Sequence, residues 1–358
     1  WGMQLDYDEE VSFRALEALR DLARRQDEGR PFFLCASYTH PHDPFTITQP
    51  WWDVYDHAEI DLPGAPVQDL AQMHPYDQWL QIHHMIDVYP PEDESIRNAR
   101  HAYYGMVSYF DHQVGRLVSE LERLGMADNT IIVVTSDHGE MLGEHGMWFK
   151  RTYFDSSTRV PLIVRGPGVE QAVRRADTVS LVDLAPSFLE MAQLPDLQQT
   201  TAHLDGDSLW PMLQGEDVDW KDVAISDYCS EGVCQPMRMV VGGGWKYVYV
   251  HDESPQLFDL SNDPDELDNR IDDPAAASAL ARLKAVAHDG WDPAAIREAV
   301  LVSQQRRRWI NESWEEGERP AWDVQPAFDA REQYVRKHDA EETARRQRYP
   351  RWSTDEPT

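Results

Sequence analysis

Helical and strand-like hydrophobic patterns alternate along the first part of the chain. A helical pattern over 9–28 puts five apolar residues on one face: Val11, Ala15, Leu16, Leu19 and Leu22. Apolar runs typical of buried strands occupy 31–38, 130–135 and 160–164, and a second helical stretch covers 96–124. This order predicts an α/β fold with a mostly parallel sheet between helices.

The pattern changes after about residue 215. Short strands are predicted at 223–226, 237–241 and 245–250, with a turn of three glycines before the last, and a further strand at 256–260. A helix over 274–288 completes a small antiparallel α+β unit, and a charged helical tail follows. The predicted domains are therefore 1–215, an incomplete catalytic domain, 216–291, the α+β unit, and 292–358, the tail.

Charge narrows the range of partners. The chain has 33 basic and 64 acidic residues, for a formal net charge of -31. Nucleic-acid binding requires an excess of Lys and Arg, so we expect no nucleic-acid partner. The acidity is compatible with a cationic substrate, but a solubility trait is the favoured explanation.

The cysteine content and the hydropathy bear on the cellular compartment. Three cysteines, Cys35, Cys229 and Cys234, do not make a disulfide framework. No apolar run is long enough for a bilayer, so no membrane partner is expected. A cytoplasmic location is predicted, although the chain begins at Trp1, and a signal on a preceding segment is left open.

Candidate chemistry follows the strand at 130–135. Asp137 and His138 come directly after it, where ligands collect in α/β sheets, and a carboxylate and an imidazole there can share one divalent cation. An Asp that caps the next element and a His bonded to the backbone would explain the dipeptide as well. Lys150 can return to the same pocket to hold an anion, or it can be an ordinary surface lysine.

The surrounding residues resolve this ambiguity through a family resemblance. The stretch 136–150 (SDHGEMLGEHGMWFK) and the stretch 159–168 (RVPLIVRGPG) resemble a signature of type I sulfatases, of the alkaline phosphatase superfamily. The resemblance implies that Asp137 and His138 are metal ligands and that Lys150 contacts the sulfate. Many relatives have Asn where this chain has His138. The run 40–45 (HPHDPF) resembles the element in which a His, here His42, donates to the ester or sulfate oxygen.

The strand and turn at 255–267 also resemble sulfatases in general. Two other segments, the opening at 6–11 and the tail at 322–329, resemble choline sulfatases in particular. The expected substrate is then choline sulfate, which calls for acidic and aromatic groups around a quaternary ammonium. Glu231 is the candidate for this role, although an exposed loop glutamate is an equal explanation.

Part of the family's machinery is missing from the sequence. A type I sulfatase has paired Asp ligands and a Cys-x-Pro-Ser-Arg turn, whose Cys becomes formylglycine and acts as the nucleophile. Neither is found here, so both are expected on an N-terminal segment ahead of Trp1, and the chain alone is expected to be inactive. The run Cys234 to Arg238 fits Cys-x-Pro-x-Arg, but it follows the metal signature, has Met237 in place of Ser and leads into a hairpin. We therefore interpret it as a chance match.

These inferences give one leading function and two rivals. The leading hypothesis is hydrolysis of choline sulfate to choline and sulfate, with one divalent metal ion, calcium before magnesium or manganese. The rivals are a phosphodiesterase or phosphonate monoester hydrolase of the same superfamily, and an inactive or non-catalytic chain. Four tail tryptophans, Trp309, Trp314, Trp322 and Trp352, predict that the tail forms a homo-oligomer interface.

Overall fold

The computed structural model describes residues 1–25, 29–193, 203–315 and 317. The helices are α1 Met3–Arg24, α2 Gln49–Trp52, α3 Pro75–His83, α4 Asp93–Arg123, α5 Asp155–Thr158, α6 Leu184–Met191, α7 Trp210–Leu213, α8 Ala277–His288 and α9 Pro293–Glu315. The strands are β1 Ile132–Thr135, β2 Leu162–Arg165, β3 Ala224–Tyr228, β4 Met237–Gly242, β5 Trp245–Val250 and β6 Gln256–Asp259. The chain divides into two units, Trp1–Asp289 and Gly290–Thr358.

Helices α1 and α4 form one layer of the first unit. Their apolar faces meet in a cluster that contains Leu19, Leu121 and Met126, all buried. Between the same helices, Ser12 donates a hydrogen bond of 2.8 Å to Gln113. The predicted helix over 96–124 is confirmed, whereas the first helix begins six residues earlier than predicted and the end of that prediction, 26–28, lies outside the described residues.

Strands β1 and β2 lie where the sequence predicted them, but their pairing corrects the expected parallel arrangement. They pair antiparallel, with Thr135 opposite Leu162 and Ile132 opposite Arg165. The connection between them stays at the carboxyl end of β1, so β2 starts beside the end of β1 and runs back. A parallel pair requires a crossover to the other end of the strand. No parallel pair occurs among the described residues.

The strand predicted at 31–38 is wrong. These residues follow no regular secondary structure, and the side chains of Phe32, Phe33 and Leu34 are exposed. Hydrophobicity at these positions indicated burial, but a strand also needs a neighbour that accepts its hydrogen bonds. In the described part of the chain, no strand lies beside this segment.

The second sheet matches the predicted α+β unit. Strands β3, β4, β5 and β6 form an antiparallel meander in sequential order. Helix α8 covers one face, where Leu283 and Ala287 pack on Val240, Tyr247 and Leu257. The opposite face packs on α3 and on the loop after β1 through a core that includes Tyr76, Met141, Met147, Met237 and Val248. The sheet therefore supports the loop that carries the candidate site.

Helix α9 belongs to the second unit. It has exposed apolar side chains at Leu301, Trp309, Ile310 and Trp314. Trp322 and Trp352 lie outside the described residues. The predicted tail helix is thus present over Pro293–Glu315, and the domain boundaries at 215 and 291 stay predictions.

Candidate active site

The loop from Gly139 to Arg151, here called the signature loop, is held in a conformation that few residues adopt. Non-glycine residues with left-handed backbone flank the lysine on both sides: Phe149 has φ 67 and Arg151 has φ 86. Such conformations cost about 1–3 kcal/mol each, so other contacts must hold them. At the start of the loop, a Cβ on Gly139 would lie 2.1 Å from the carbonyl oxygen of Ser156. Only glycine permits this close approach.

Glu140 provides one of those contacts. Its carboxylate accepts hydrogen bonds from the backbone N–H of Phe149 at 2.6 Å and of Leu142 at 3.3 Å. Burial raises the pKa of Glu140 to about 7, and the nearby Asp43 carboxylate acts in the same direction. Glu140 lies inside the family signature, but no local pattern in the sequence marks it as functional. Its carboxylate holds the backbone directly before Lys150.

Lys150 and His42 meet in space. The Lys150 Nζ lies 2.7 Å from the His42 Nε2, although the residues are 108 positions apart. The His42 Nδ1 lies 2.7 Å from the carbonyl oxygen of Asp43. A carbonyl only accepts, so Nδ1 carries the proton, and Nε2 accepts a hydrogen bond from the lysine ammonium. The pair thus presents a positive group whose orientation is set by an imidazole.

Asp137 and His138 lie next to this pair and face one point. The Asp137 Oδ2 is 3.6 Å from the His138 Nε2, and the His138 ring is 6.2 Å from the His42 ring. The His138 Nδ1 is 2.7 Å from the carbonyl oxygen of Gly139, which places the proton on Nδ1 and leaves the Nε2 lone pair available. Ligand distances of about 2.0–2.6 Å allow both atoms to bind one cation.

The two residues therefore fit a divalent metal, but as part of a ligand set. The Asp137 side chain is 84% exposed, so its carboxylate is accessible. Within the part of the chain that the structure describes, no group of three or more His, Cys, Asp or Glu side chains is arranged to hold a metal ion. A complete coordination shell would need further ligands besides this pair.

Glu231 is close to the site but is not free. Its carboxylate accepts a hydrogen bond of 3.0 Å from the Arg151 Nε, and Arg151 directly follows Lys150 in the chain. Arg151 holds the pKa of Glu231 below its usual value, and it also lies 3.3 Å from the Nε2 of His84. Burial, followed by the charge of Arg151, lowers the pKa of His84 to about 4, so this imidazole is neutral near pH 7. Sequence reasoning missed Arg151 and His84, because neither has a local pattern.

Lys150, His42, Asp137 and His138 thus meet in one place, with Glu231 at its edge. An ammonium group, an imidazole and a pair of side chains that can bind a metal ion together suit the transfer of an anionic sulfuryl or phosphoryl group. The roles of the individual residues stay predictions. Cys35, Cys229 and Cys234 are all exposed free thiols. Among the described residues, none of the helices has the length and apolarity needed to span a bilayer.

The fold and the site define an alkaline-phosphatase-like hydrolase domain, and the chain belongs to the sulfatase family. The Sulfatase family model matches residues 4–194. Two further models match 143–289, described as N-sulphoglucosamine sulphohydrolase, C-terminal, and 298–349, described as Choline sulfatase enzyme C terminal. The family expected from the sequence is therefore confirmed.

Individual relatives add detail. The chain is 37% identical to the choline-sulfatase of Rhizobium meliloti (strain 1021), over 97% of the chain and 68% of that protein. It is 31% identical to arylsulfatase K of Bos taurus, over 75% of the chain and 52% of that protein. A phosphonate monoester hydrolase of Silicibacter pomeroyi has a similar structure, with a TM-score of 0.62 and 30% identity, over 72% of this chain and 55% of that one. The chain thus spans between about half and 68% of these relatives' lengths.

Proposed function

We propose that this chain supplies the metal and sulfate contacts of a sulfuric ester hydrolase that converts choline sulfate to choline and sulfate. The observation that carries the proposal is the contact of 2.7 Å between Lys150 and His42, beside Asp137 and His138. The similarity to a choline-sulfatase over 97% of the chain supports the choice of alcohol. The match of the choline-sulfatase C-terminal model to 298–349 supports it independently.

Lys150 and His42 have separate tasks in this proposal. A lysine ammonium is a compact positive charge that suits a sulfate oxygen. When the substrate binds, its sulfate oxygen replaces the His42 Nε2 as the acceptor of a Lys150 N–H. The carbonyl of Asp43 keeps the first proton of His42 on Nδ1. His42 therefore needs a second proton, on Nε2, before it can donate to the departing alcohol oxygen.

Asp137 and His138 would hold one divalent cation, and our first expectation is calcium. A bound cation would neutralise charge on the sulfuryl oxygens. The carboxylate of Asp137 suits Ca²⁺, Mg²⁺ or Mn²⁺, whereas an imidazole is a more usual ligand for transition metals. Thermal unfolding with each of the three ions tests this choice in a protein that also carries the proposed N-terminal segment, because Asp137 and His138 alone do not complete a coordination shell. Stabilisation should be largest with Ca²⁺ and should be lost in Asp137→Asn, and a preference for Mn²⁺ would contradict the calcium assignment.

We propose that the nucleophile, a formylglycine, comes from a segment outside these 358 residues. Cys234 lies between β3 and β4 as an exposed free thiol and is not assigned this role. The 358-residue chain alone is therefore expected to have no sulfatase activity. Mass spectrometry of the peptide that contains Cys234 tests whether this cysteine stays unmodified, and an aldehyde in place of its thiol would contradict the assignment.

Glu231 is proposed to face the quaternary ammonium of choline. Its ion pair with Arg151 partly neutralises it, so the substrate cation would have to share the carboxylate with the guanidinium. Glu231→Gln should raise KM for choline sulfate while it leaves KM unchanged for an aryl sulfate, whose alcohol part carries no positive charge. An equal effect on both esters would show that Glu231 acts through Arg151 and not on the cation.

The second candidate function is hydrolysis of phosphonate monoesters. It rests on the structural similarity to the phosphonate monoester hydrolase of Silicibacter pomeroyi, at 30% identity. The same ligands serve sulfuryl and phosphoryl transfer, because both groups place charge on peripheral oxygens. The ratio of kcat/KM for choline sulfate to kcat/KM for a phosphonate monoester distinguishes the two functions. A ratio below one would favour the phosphonate hydrolase.

The tail is proposed to form a homo-oligomer interface, in an enzyme of the cytoplasm. Its support is the exposed apolar side chains on α9, which include Trp309 and Trp314. Removal of residues 292–358 should lower the number of subunits per particle measured by light scattering. An unchanged number of subunits would show that the tail does not form the interface.

The decisive experiment uses a protein that carries the additional N-terminal sequence. Lys150→Ala should lower kcat/KM for choline sulfate by a factor of at least about 100, because it removes a charge that stabilises the transition state. Lys284→Ala, at an exposed lysine of α8, is the matched control and should leave the rate unchanged. Near-normal activity in Lys150→Ala would refute the role of the lysine.

A further inference from the structure

A cavity of about 260 Å³ lies between the first turn of α3, the signature loop and β6. Its walls include Asp77 of α3, His145 and Met147 of the loop, Gln256 of β6, and Glu266. His42, Asp137, His138 and Lys150 do not line it. It is therefore distinct from the candidate sulfate site, although the same loop contributes to both.

Two buried acceptors belong to the wall of this cavity. The Oδ1 of Asp77 and the Oε1 of Gln256 have no hydrogen-bond partner among the described residues. The two residues are only 7% and 8% exposed. A buried polar atom without a partner costs about 1–3 kcal/mol, and a charged one costs more. Burial raises the pKa of Asp77 to about 8. Once Asp77 is ionised, both atoms are acceptors, and both require a donor inside the cavity.

The other walls restrict the class of donor. The His145 ring stacks on Phe154, with the centroids 3.8 Å apart and an angle of 10° between the planes, and Phe258 lines the same space. Glu266 adds a second buried carboxyl group, whose oxygens are bonded to Lys246 and to the N–H of Asp155. Because Lys246 already neutralises Glu266, the ionised carboxylate of Asp77 and the aromatic faces are the groups that favour an organic cation.

Size and ligand number point the same way. Liquid water occupies about 30 Å³ per molecule, so the cavity has room for roughly eight waters or for a small organic molecule. In the described ranges, no set of three or more His, Cys, Asp or Glu side chains is arranged for a metal ion. A bare metal ion would therefore have too few ligands here.

We propose that this cavity binds a small organic ammonium ion that carries at least one N–H or O–H donor. The cation lies against Asp77 and an aromatic wall, and its donor satisfies Asp77 Oδ1 or Gln256 Oε1. The site is separate from the sulfate-ester site and does not depend on the proposed hydrolase activity. Because His145 and Met147 belong to the signature loop, a ligand in the cavity also contacts that loop.

Calorimetric titration of the 358-residue chain tests the proposal, at about pH 8.5, where most of Asp77 is ionised. The probes are ethanolamine, as its ammonium ion, and choline, and the neutral control is 3,3-dimethylbutan-1-ol, which has the shape of choline without its charge. Ethanolamine and choline should bind, and the neutral alcohol should not. Asp77→Asn, which keeps the shape and removes the charge, should weaken binding by about tenfold or more.

Two further variants keep the test decisive. Gln256→Met removes the second acceptor and should weaken binding even if Asp77→Asn does not fold. Glu231→Gln, at the candidate ester site, should leave binding in the cavity unchanged. Binding that is lost in Glu231→Gln and retained in the cavity variants would overturn the proposal, because the cation would then bind at the ester site. The absence of measurable binding by both cations would also overturn it and would leave a cavity that holds only water.

Discussion

Lys246 should be a large contributor to stability, although it is a lysine in the middle of a strand. Its side chain is 0% exposed and its Nζ donates to the Tyr153 carbonyl at 2.7 Å, to Asp155 at 2.6 Å and to Glu266 at 2.6 Å. These contacts tie β5 to the segment that directly follows the signature loop. The Glu266 side chain is only 2% exposed. Removal of the ammonium therefore leaves the Tyr153 carbonyl without this donor, and it leaves the buried Glu266 carboxylate without a countercharge, with only the N–H of Asp155 as a donor.

The expected loss for Lys246→Met is about 3–5 kcal/mol, the usual cost when one partner of a buried ion pair is removed. Methionine nearly fills the space of the lysine stem, so little of the loss comes from packing. Asp155 adds little, because its side chain is 27% exposed and reaches water. The double variant Lys246→Met/Glu266→Gln should recover about half of the loss, since it no longer buries an unpaired charge.

Chemical denaturation of the chain measures these differences, with Lys284→Met as the control. Lys284 is an exposed lysine of α8, and its replacement should change the free energy of unfolding by less than about 0.5 kcal/mol. A loss of less than about 1 kcal/mol in Lys246→Met would refute the reasoning, because it would show that Glu266 finds another donor or water.

The same variant has a predictable pH dependence. Burial raises the pKa of Glu266, while Lys246 opposes this shift. Without the lysine the pKa rises further, so the folded variant binds a proton that the unfolded chain releases. Stability then falls as the pH rises from the unfolded value toward the folded one. The deficit of Lys246→Met should be smaller at about pH 5 than at about pH 8. An equal deficit at both values would contradict the buried-carboxylate explanation.

Three further predictions concern the signature loop. Burial raises the pKa of Glu140 to about 7. As the pH rises from about 5 to about 8, the wild type should therefore lose on the order of 2 kcal/mol of its free energy of unfolding relative to Glu140→Gln, measured by chemical denaturation. A difference that stays constant with pH would contradict this explanation. Gly139→Ala should lower the melting temperature, because its Cβ would lie 2.1 Å from a carbonyl oxygen, whereas Gly115→Ala, with open space in α4, should gain about 0.5–1 kcal/mol. Equal effects would refute the steric argument. Arg100→Lys should lower the free energy of unfolding by about 1–3 kcal/mol, measured by chemical denaturation, because one ammonium cannot replace a guanidinium bonded to Leu142, Glu144 and Asp61. An unchanged free energy of unfolding would show that these contacts are dispensable.

The sequence predicted those parts of the site that have a local pattern. Asp137 and His138 follow an apolar strand, and Lys150 completes a run of residues that identifies the family. The neighbourhood of His42 and Lys150, 108 positions apart, followed from the family resemblance and not from any local pattern. The structure supplies the contact itself and the tautomer of His42, which depends on the carbonyl of Asp43.

What the sequence did not reveal depends on partners that are distant along the chain. Lys246 is the one charged residue of β5, and a lysine is ordinarily an exposed residue. Only the fold brings Glu266 to it. Arg151 and Glu231 are 80 positions apart and meet only because β3 and the signature loop are neighbours. The run at 31–38 is the opposite case. Its apolar residues indicate burial, but a pattern along one segment cannot supply a second strand.

The structure of the signature loop accounts for the specificity of the sequence at 139–151. Gly139 is required by the approach of Ser156, and Glu140 is required by the N–H groups that it accepts. Glu144 accepts a hydrogen bond of 2.8 Å from the N–H of Ala65, and His145 stacks on Phe154. Each of these four positions thus meets a separate physical demand, whereas Lys150 contacts His42. Most of the pattern therefore specifies the backbone that presents the lysine, and we expect substitutions at the supporting positions to reduce stability first and anion binding only as a consequence.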